Sequence, residues 1–265
     1  MKGFLIDLEF TWGFQARVVG MSKTSPSFQL PPPTTMLGAI AEAYSRRRGL
    51  SEYRSYETIQ GLAEKTVVLA YKLVNVIPIA YQDLNRIVAV RFSGGISYPS
   101  TKDPYGSFDA PARGKTILSS IDGGPPTMRV FCVFRDDSEI TKDDLWRIRR
   151  VGSRESLVSV LNVIESSPEV LRPETLKDGV VETDYLLPLT YEIEKSIINI
   201  GDGLIQMFVP LKSLAPGYTP PKLYLENKVL KHVISMPITN KLKVKLPRGY
   251  VGYKIEDEVA VGLES

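Results

Sequence analysis

One cysteine, Cys132, and one histidine, His232, stand among the 265 residues. A single thiol excludes an internal disulfide. Together the pair excludes four-ligand Cys/His zinc, a haem held by two histidines, and any site built from several imidazoles. Asn, Gln and Cys number only 12 in all, a scarcity that fits a heat-adapted source. Long apolar runs are missing too. The longest, residues 66–81, is broken by Lys72, Asn75 and Pro78 and falls short of the ~20 residues a membrane helix needs. The start, Met1-Lys2-Gly3-Phe4, leads straight into alternating residues, so neither a signal peptide nor a membrane association is expected, and a reducing cytoplasm is. What remains is ordinary: 43% hydrophobic and 24% charged residues exclude a disordered or fibrous chain. The length suits one large domain or two small ones.

A formal net charge of +3 conceals an uneven distribution. Residues 222–254 hold eight Lys/Arg and one acid, Glu226, whereas residues 162–202 hold nine acids and three basic residues. Residues 86–115 carry five basic residues, Lys102, Arg113 and Lys115 among them, against two acids, mixed with Phe92, Tyr98, Tyr105 and Phe108. Cations that track phosphates beside rings that stack on bases form the footprint of single-stranded nucleic-acid binding. A solvated basic face next to an acidic one would give the same counts.

Phe4, Ile6, Leu8 and Phe10 alternate with Leu5, Asp7 and Glu9, the period of a half-buried strand. A long loop over residues 11–33 ends in Pro31-Pro32-Pro33. Thr34 or Thr35 then caps a helix whose face is Leu37, Ile40, Ala41 and Tyr44, and Arg46, Arg47 and Arg48 before Gly49 suit its C-terminal end. Residues 66–79 read as a strand, and residues 128–134 as a central one. A helix follows Thr141, with Leu145, Trp146 and Ile148 as its buried face, and residues 157–164 form a further strand. The order is β-α-β-β-α-β, shared by ferredoxin-like folds and RRM-type RNA binders.

Residues 80–126 are too long for the hairpin turn between the second and third strands. Ser93-Gly94-Gly95, Tyr98-Pro99, Asp103-Pro104-Tyr105-Gly106 and Gly123-Gly124-Pro125-Pro126 supply turns between strand-like runs at 86–92 and 115–121. The reading is an inserted β-hairpin arm. From about Val170 onward the chain is proline-punctuated and strand-like, at 197–200, 204–209, 222–225, 229–234, 242–246 and 259–261. The expected fold class is therefore α+β: a ferredoxin-like, RRM-like domain over residues 1–168 with its arm at about 80–126, and a smaller β-rich domain over 169–265.

Several residues carry candidate chemistry. Three prolines stiffen the approach to the first helix. Gly38 lacks a β-carbon, so either the sheet or an RNA backbone can lie close against the helix. In Gly152-Ser153-Arg154, Arg154 can fork onto a phosphate beside backbone amides, or pair with Glu155 or Asp144 instead. Arg17, Ser22, Lys23 and Ser25 make a polar, cationic strip in the first loop. Arg46 caps the helix or touches RNA. Tyr98, Tyr105 and Phe108 are many rings for an exposed arm unless they meet a base or another subunit, whereas Trp12 and Trp146 read as core. No catalytic residue, metal or cofactor is expected, because His232 lies in a strand-like run far from these motifs.

The run from Phe28 to Tyr44, with Pro31-Pro32-Pro33-Thr34-Thr35-Met36-Leu37-Gly38 at its centre, resembles the start of the first helix in one CRISPR-associated family. This is the Cascade subunit that caps the crRNA 5′ handle, often called Cas five, of the RAMP superfamily. Val151-Gly152-Ser153-Arg154-Glu155-Ser156-Leu157-Val158 is similar to that family's turn before the fourth strand. The resemblance covers roughly residues 1–165. It implies a palm with an inserted thumb and a non-catalytic subunit of a type I Cascade-like surveillance complex in antiviral defence. The partners it implies are crRNA, the backbone subunit and the large subunit. An endoribonuclease that processes CRISPR repeat RNA and the equivalent subunit of a type III complex are the alternatives it leaves open.

Overall fold

The structure is a computed structural model that describes residues 1–18, 26–51, 55–83, 86–87, 91–93, 96–98, 108–109, 113–214 and 220–265. In chain order the elements begin β1 (Lys2–Phe10), β2 (Gly13–Phe14), α1 (Pro33–Arg47), α2 (Ser55–Lys65), β3 (Thr66–Leu73) and β4 (Val76–Asp83). The insertion holds β5 (Arg86–Ile87), β6 (Arg91–Ser93), β7 (Ile96–Tyr98), β8 (Phe108–Asp109) and β9 (Arg113–Ser120). Next come β10 (Thr127–Phe134), α3 (Lys142–Leu145), β11 (Val158–Ser166), β12 (Glu169–Leu171), β13 (Val180–Thr183), β14 (Leu187–Pro188) and α4 (Tyr191–Ser196). The chain closes with β15 (Ile197–Asn199), β16 (Leu204–Phe208), α5 (Pro220–Leu225), β17 (Leu230–Ile234), β18 (Leu242–Lys245), β19 (Tyr250–Ile255) and β20 (Glu258–Leu263). The architecture is mixed α/β with mostly antiparallel sheets. Among the described residues no helix is long and apolar enough to cross a membrane.

The main sheet has four antiparallel strands in the order β11-β1-β10-β3. Its two faces follow from strand parity. Phe4, Ile6, Leu8 and Phe10 of β1 share one face with Met128, Val130, Cys132 and Phe134 of β10. That face packs against Met36, Leu37 and Ile40 of α1 and against Leu145 of α3. On the opposite face Leu5, Val68, Ala70, Phe131 and Val133 join Tyr185, Val251, Tyr253, Ile255 and Ala260 in a second core. The expectation of a half-buried first strand is therefore corrected: Leu5 is only 2% exposed, because the β19–β20 hairpin lies over the face that alternation had assigned to solvent.

An ion-pair network edges this second core. Arg129 Nε lies 2.6 Å from Asp7 Oδ1, and Glu258 accepts from both Arg129 (2.8 Å) and Lys72 (2.6 Å). Burial alone would raise the Glu258 carboxyl, but its bonds to Lys72 and Arg129 outweigh that and hold it below the usual carboxylate range. Residues 169–265 thus meet the sheet through both apolar contact and charge. A third core, with Val181, Leu187, Ile193, Leu242 and Val244, lies wholly within them.

Several local expectations change in detail. The single strand read over 66–79 is the two strands β3 and β4, parted at Asn75, whose side chain donates to Asp122 Oδ1 at 2.8 Å. The loop read over 11–33 contains β2, which pairs with β9. Residues 222–225 are helical: Pro220 and Pro221 open α5, where a fixed φ and a missing N–H suit a first helical turn. The helix α2 carried no expectation. Trp146, read as core, is 43% exposed, because α3 ends at Leu145 and leaves the next residue outside the buried face. Within the stretch read as an arm, β4 pairs with β9 and β5 with β8.

Gly262 shows how close the covering hairpin sits, since a β-carbon there would lie 2.4 Å from Val68 Cγ2. Gly262→Val is expected to destabilise the fold by roughly 1–3 kcal/mol, as overpacked cores do. Urea denaturation reads this as a lower midpoint at unchanged slope.

Candidate functional site

The helix α1 begins at Pro33 with Pro32 in the cap position, and no side chain caps it. The capping expected of Thr34 or Thr35 is corrected: proline at the first helical position places both threonines inside the first turn. Their hydroxyls make no hydrogen bond to the described residues. Gly38, one turn on, faces open space, and a β-carbon built there meets nothing within 4 Å. Packing against the sheet does not explain this glycine. It faces a groove of about 440 Å³ walled by Thr35, Gly38, Glu42, Arg150, Ser153 and Arg154. The first-helix motif and the glycine turn therefore meet as the two sides of one groove.

The turn is held rigidly. Gly152 has φ +99°, and a β-carbon would come 2.6 Å from Gln15 O, so only glycine fits. Ser153 N–H donates to Gln15 O at 3.2 Å, and Gln15 N–H donates to Ser156 Oγ at 3.0 Å. The Gln15 side chain donates to Gly114 O at 3.0 Å, and Trp12 Nε1–H to Glu155 O at 2.8 Å. Trp12 is accordingly half-buried beside the turn and not in the core, with Lys115 Nζ 5.9 Å from its ring centre.

Charge around the groove is mostly positive. Glu42 gathers Arg149 at 2.7 Å, Arg46 at 3.5 Å and Arg150 at 3.8 Å. Arg46 also donates to Arg147 O, which ties α1 to the segment after α3. Arg47 and Arg48 reach Asp144 at 3.2 and 2.8 Å. Burial would raise the Asp144 carboxyl, but the bonds from Arg48, Thr141 and Arg47 win and hold it below its usual range. With Asp144 so occupied, Arg154 is exposed and forms no ion pair among the described residues, and neither does Arg17.

A smaller cavity of about 170 Å³ adjoins the groove, sharing Thr35 and Gly152 with it. Arg17 stands on its lining, with Phe28, Phe208, Pro220 and Tyr224. The Phe28 ring lies 5.5 Å from Phe208 and 5.9 Å from Tyr224. Ser153 and Arg154 line the groove, and Arg17 lines the adjoining cavity. Thr34, Thr35, Glu42, Arg149, Arg150 and Tyr224 were not foreseen as site residues. Ser22, Lys23, Ser25, Lys102 and Tyr105 lie outside the described residues, and so do the side chains of Tyr98, Phe108 and Arg113.

A mixed α/β chain with a cationic groove between a proline-opened helix and a glycine turn is the class that this geometry defines. A family model described as CRISPR-associated protein (Cas_Cas5) matches residues 5–202. The chain belongs to the Cas5 family of CRISPR-associated proteins. It is 26% identical over 252 residues to the CRISPR-associated protein Cas5 2 of Saccharolobus solfataricus, covering 92% of this chain and 88% of that one. It is 29% identical over 168 residues to the CRISPR system aCascade subunit Cas5 1 of the same organism, covering 59% of this chain and 62% of that one. The crystal structure of a CRISPR protein from Archaeoglobus fulgidus matches 99% of this chain and 100% of its own, with a TM-score of 0.71 and 32% identity.

His232 lies away from this groove, 6% exposed beside an apolar cavity of about 220 Å³. Its Nδ1 meets Leu230 O at 2.9 Å, and its ring packs edge-on against Phe208. Burial pulls its pKa down to about 4, against a small opposing effect of the Leu230 bond, so the ring is neutral at pH 7. A depressed histidine pKa contributes stability fully above the unfolded value of 6.5, and that contribution is lost as pH falls towards 4. Over that window the wild type should lose on the order of 3 kcal/mol more than His232→Gln, read from urea melts at stepped pH.

Proposed function

We propose that this chain is a non-catalytic, crRNA-binding subunit of a type I Cascade-like complex that holds the 5′ handle of the crRNA in antiviral defence. The observation that carries the reading is the groove between Gly38 and Arg154, where the unpaired Arg154 faces a rigid wall with room for a phosphate backbone, and the unpaired Arg17 lines the adjoining cavity. A relative is named as an aCascade subunit, which supports assembly with other subunits. The backbone subunit, the large subunit and crRNA are the proposed partners, and the cytoplasm is the proposed compartment. The sheet order β11-β1-β10-β3 places the fourth strand beside the first and the third beside the second, which supports a ferredoxin-like, RRM-like palm. Absence of catalysis is part of the proposal. Buried His232 is a poor general base, and burial also pushes the Cys132 thiol far up.

The test is binding of the CRISPR repeat RNA from the source genome at stepped salt. Five to eight phosphate contacts predict a log–log slope of about −3.5 to −5.6. Arg17→Ala with Arg154→Ala should weaken binding and flatten that slope by about 1.4, with no change in melting temperature, since neither side chain is paired. A slope near zero, or equal affinity for duplex DNA, would contradict the reading. RNA is expected to stay intact in EDTA, and scission at one discrete phosphate would favour the endoribonuclease.

A further inference from the structure

The main sheet ends on β3, the outermost strand in the order β11-β1-β10-β3. Its outer side is paired only in part. Tyr71 O accepts from Leu186 N–H at 2.9 Å, and strand alternation then turns the N–H and C=O of Leu69 to the same side. Among the described residues no hydrogen bond reaches them there. Val67 is passed over by the ladder as well, since Val68 pairs with Val133 and Thr66 with Phe134. An open strand edge is a template for another strand, and proteins usually blunt one with charge or proline. The open run Thr66-Val67-Val68-Leu69-Ala70 holds neither.

The same five residues line the apolar cavity of about 220 Å³ beside His232, with Leu186, Pro188, Leu230, Tyr250 and Val261 among its other walls. A second cavity of about 450 Å³ continues from it, sharing Thr66, Val67, Leu211 and Leu263. In its lining Arg135 and Lys212 are exposed and form no ion pair among the described residues. Of the two acids there, Glu264 is held by Arg172 at 2.9 Å, which leaves Glu64 outnumbered. Resting on the reading of this chain as a subunit, we infer that the open edge of β3 receives an extended segment of a second protein of the assembly, carrying an apolar anchor and a neighbouring acid. Five open residues span about 16 Å, so the segment is short. The backbone ladder supplies affinity, the apolar cavity selects the anchor, and the two cations select the acid. A polynucleotide has no amide ladder with which to pair the edge.

The experiment co-expresses the full chain with the proteins encoded beside it in the source genome. Amide hydrogen exchange, resolved by residue, is then compared between the free chain and the purified assembly. The Leu69 amide is expected to exchange fast in the free chain and to slow by roughly tenfold or more in the assembly. Val68 and Ala70, which alternation turns towards β10, should be slow in both. Arg135→Glu with Lys212→Glu should weaken assembly about tenfold, with melting temperature and repeat-RNA affinity unchanged, since neither side chain is paired within the fold. An assembly in which Leu69 exchanges as fast as in the free chain would overturn the inference and leave the subunit reading in place. So would slowing of Leu69 by repeat RNA alone, which would assign the edge to nucleic acid. Failure of the chain to assemble with any of those proteins would remove the subunit reading and this inference together.

Discussion

The rest of the structure depends on burial of the main sheet on both faces. Leu5, Phe131 and Val133 lie under Val251, Tyr253 and Ile255, and each large side chain so buried contributes roughly 1.5–3 kcal/mol. The Asp7–Arg129–Glu258–Lys72 network closes the edge of that contact. Half-buried ion pairs add little net stability, because desolvation offsets their attraction, but breaking one strands a charge. Closing this face has a functional consequence. An RRM stacks bases on its open sheet, and here the β19–β20 hairpin covers that face. The groove described above lies at the start of α1, which packs on the other face.

That side is organised by backbone geometry first and by charge second. Gly152 lets the turn approach Gln15, and the bonds to Gln15 and Ser156 fix its position. Glu42 collects three arginines that would otherwise repel one another, leaving the groove net positive and ordered. A preorganised cationic surface of this kind favours an anionic chain without first having to rearrange. The unpaired Arg154 and Arg17 then stand at two points along one path.

Much of this was legible in the sequence, and the misses have physical causes. Alternation located β1, and β-branched runs located β10 and most of the C-terminal strands. Proline and arginine bracketed α1 to within a residue or two. Alternation failed for the second face of β1 because a hairpin more than 240 residues later covers Leu5, which no local period reports. The threonine cap failed because Pro33 starts the helix before either hydroxyl can reach its free amides. The site motifs were visible as two separate runs. Their meeting was not visible, and neither was the cavity, since Phe208 and Tyr224 join it from a strand and a helix far along the chain.

The central claim is that RNA follows the groove between α1 and the Gly152 turn and avoids the covered sheet. Photocrosslinking of 4-thiouridine-substituted repeat RNA, followed by peptide mapping, tests it most directly. The account predicts crosslinks within residues 12–17, 34–42 and 150–156. Crosslinks confined to the basic stretch 222–254, or to β19 and β20, would contradict it.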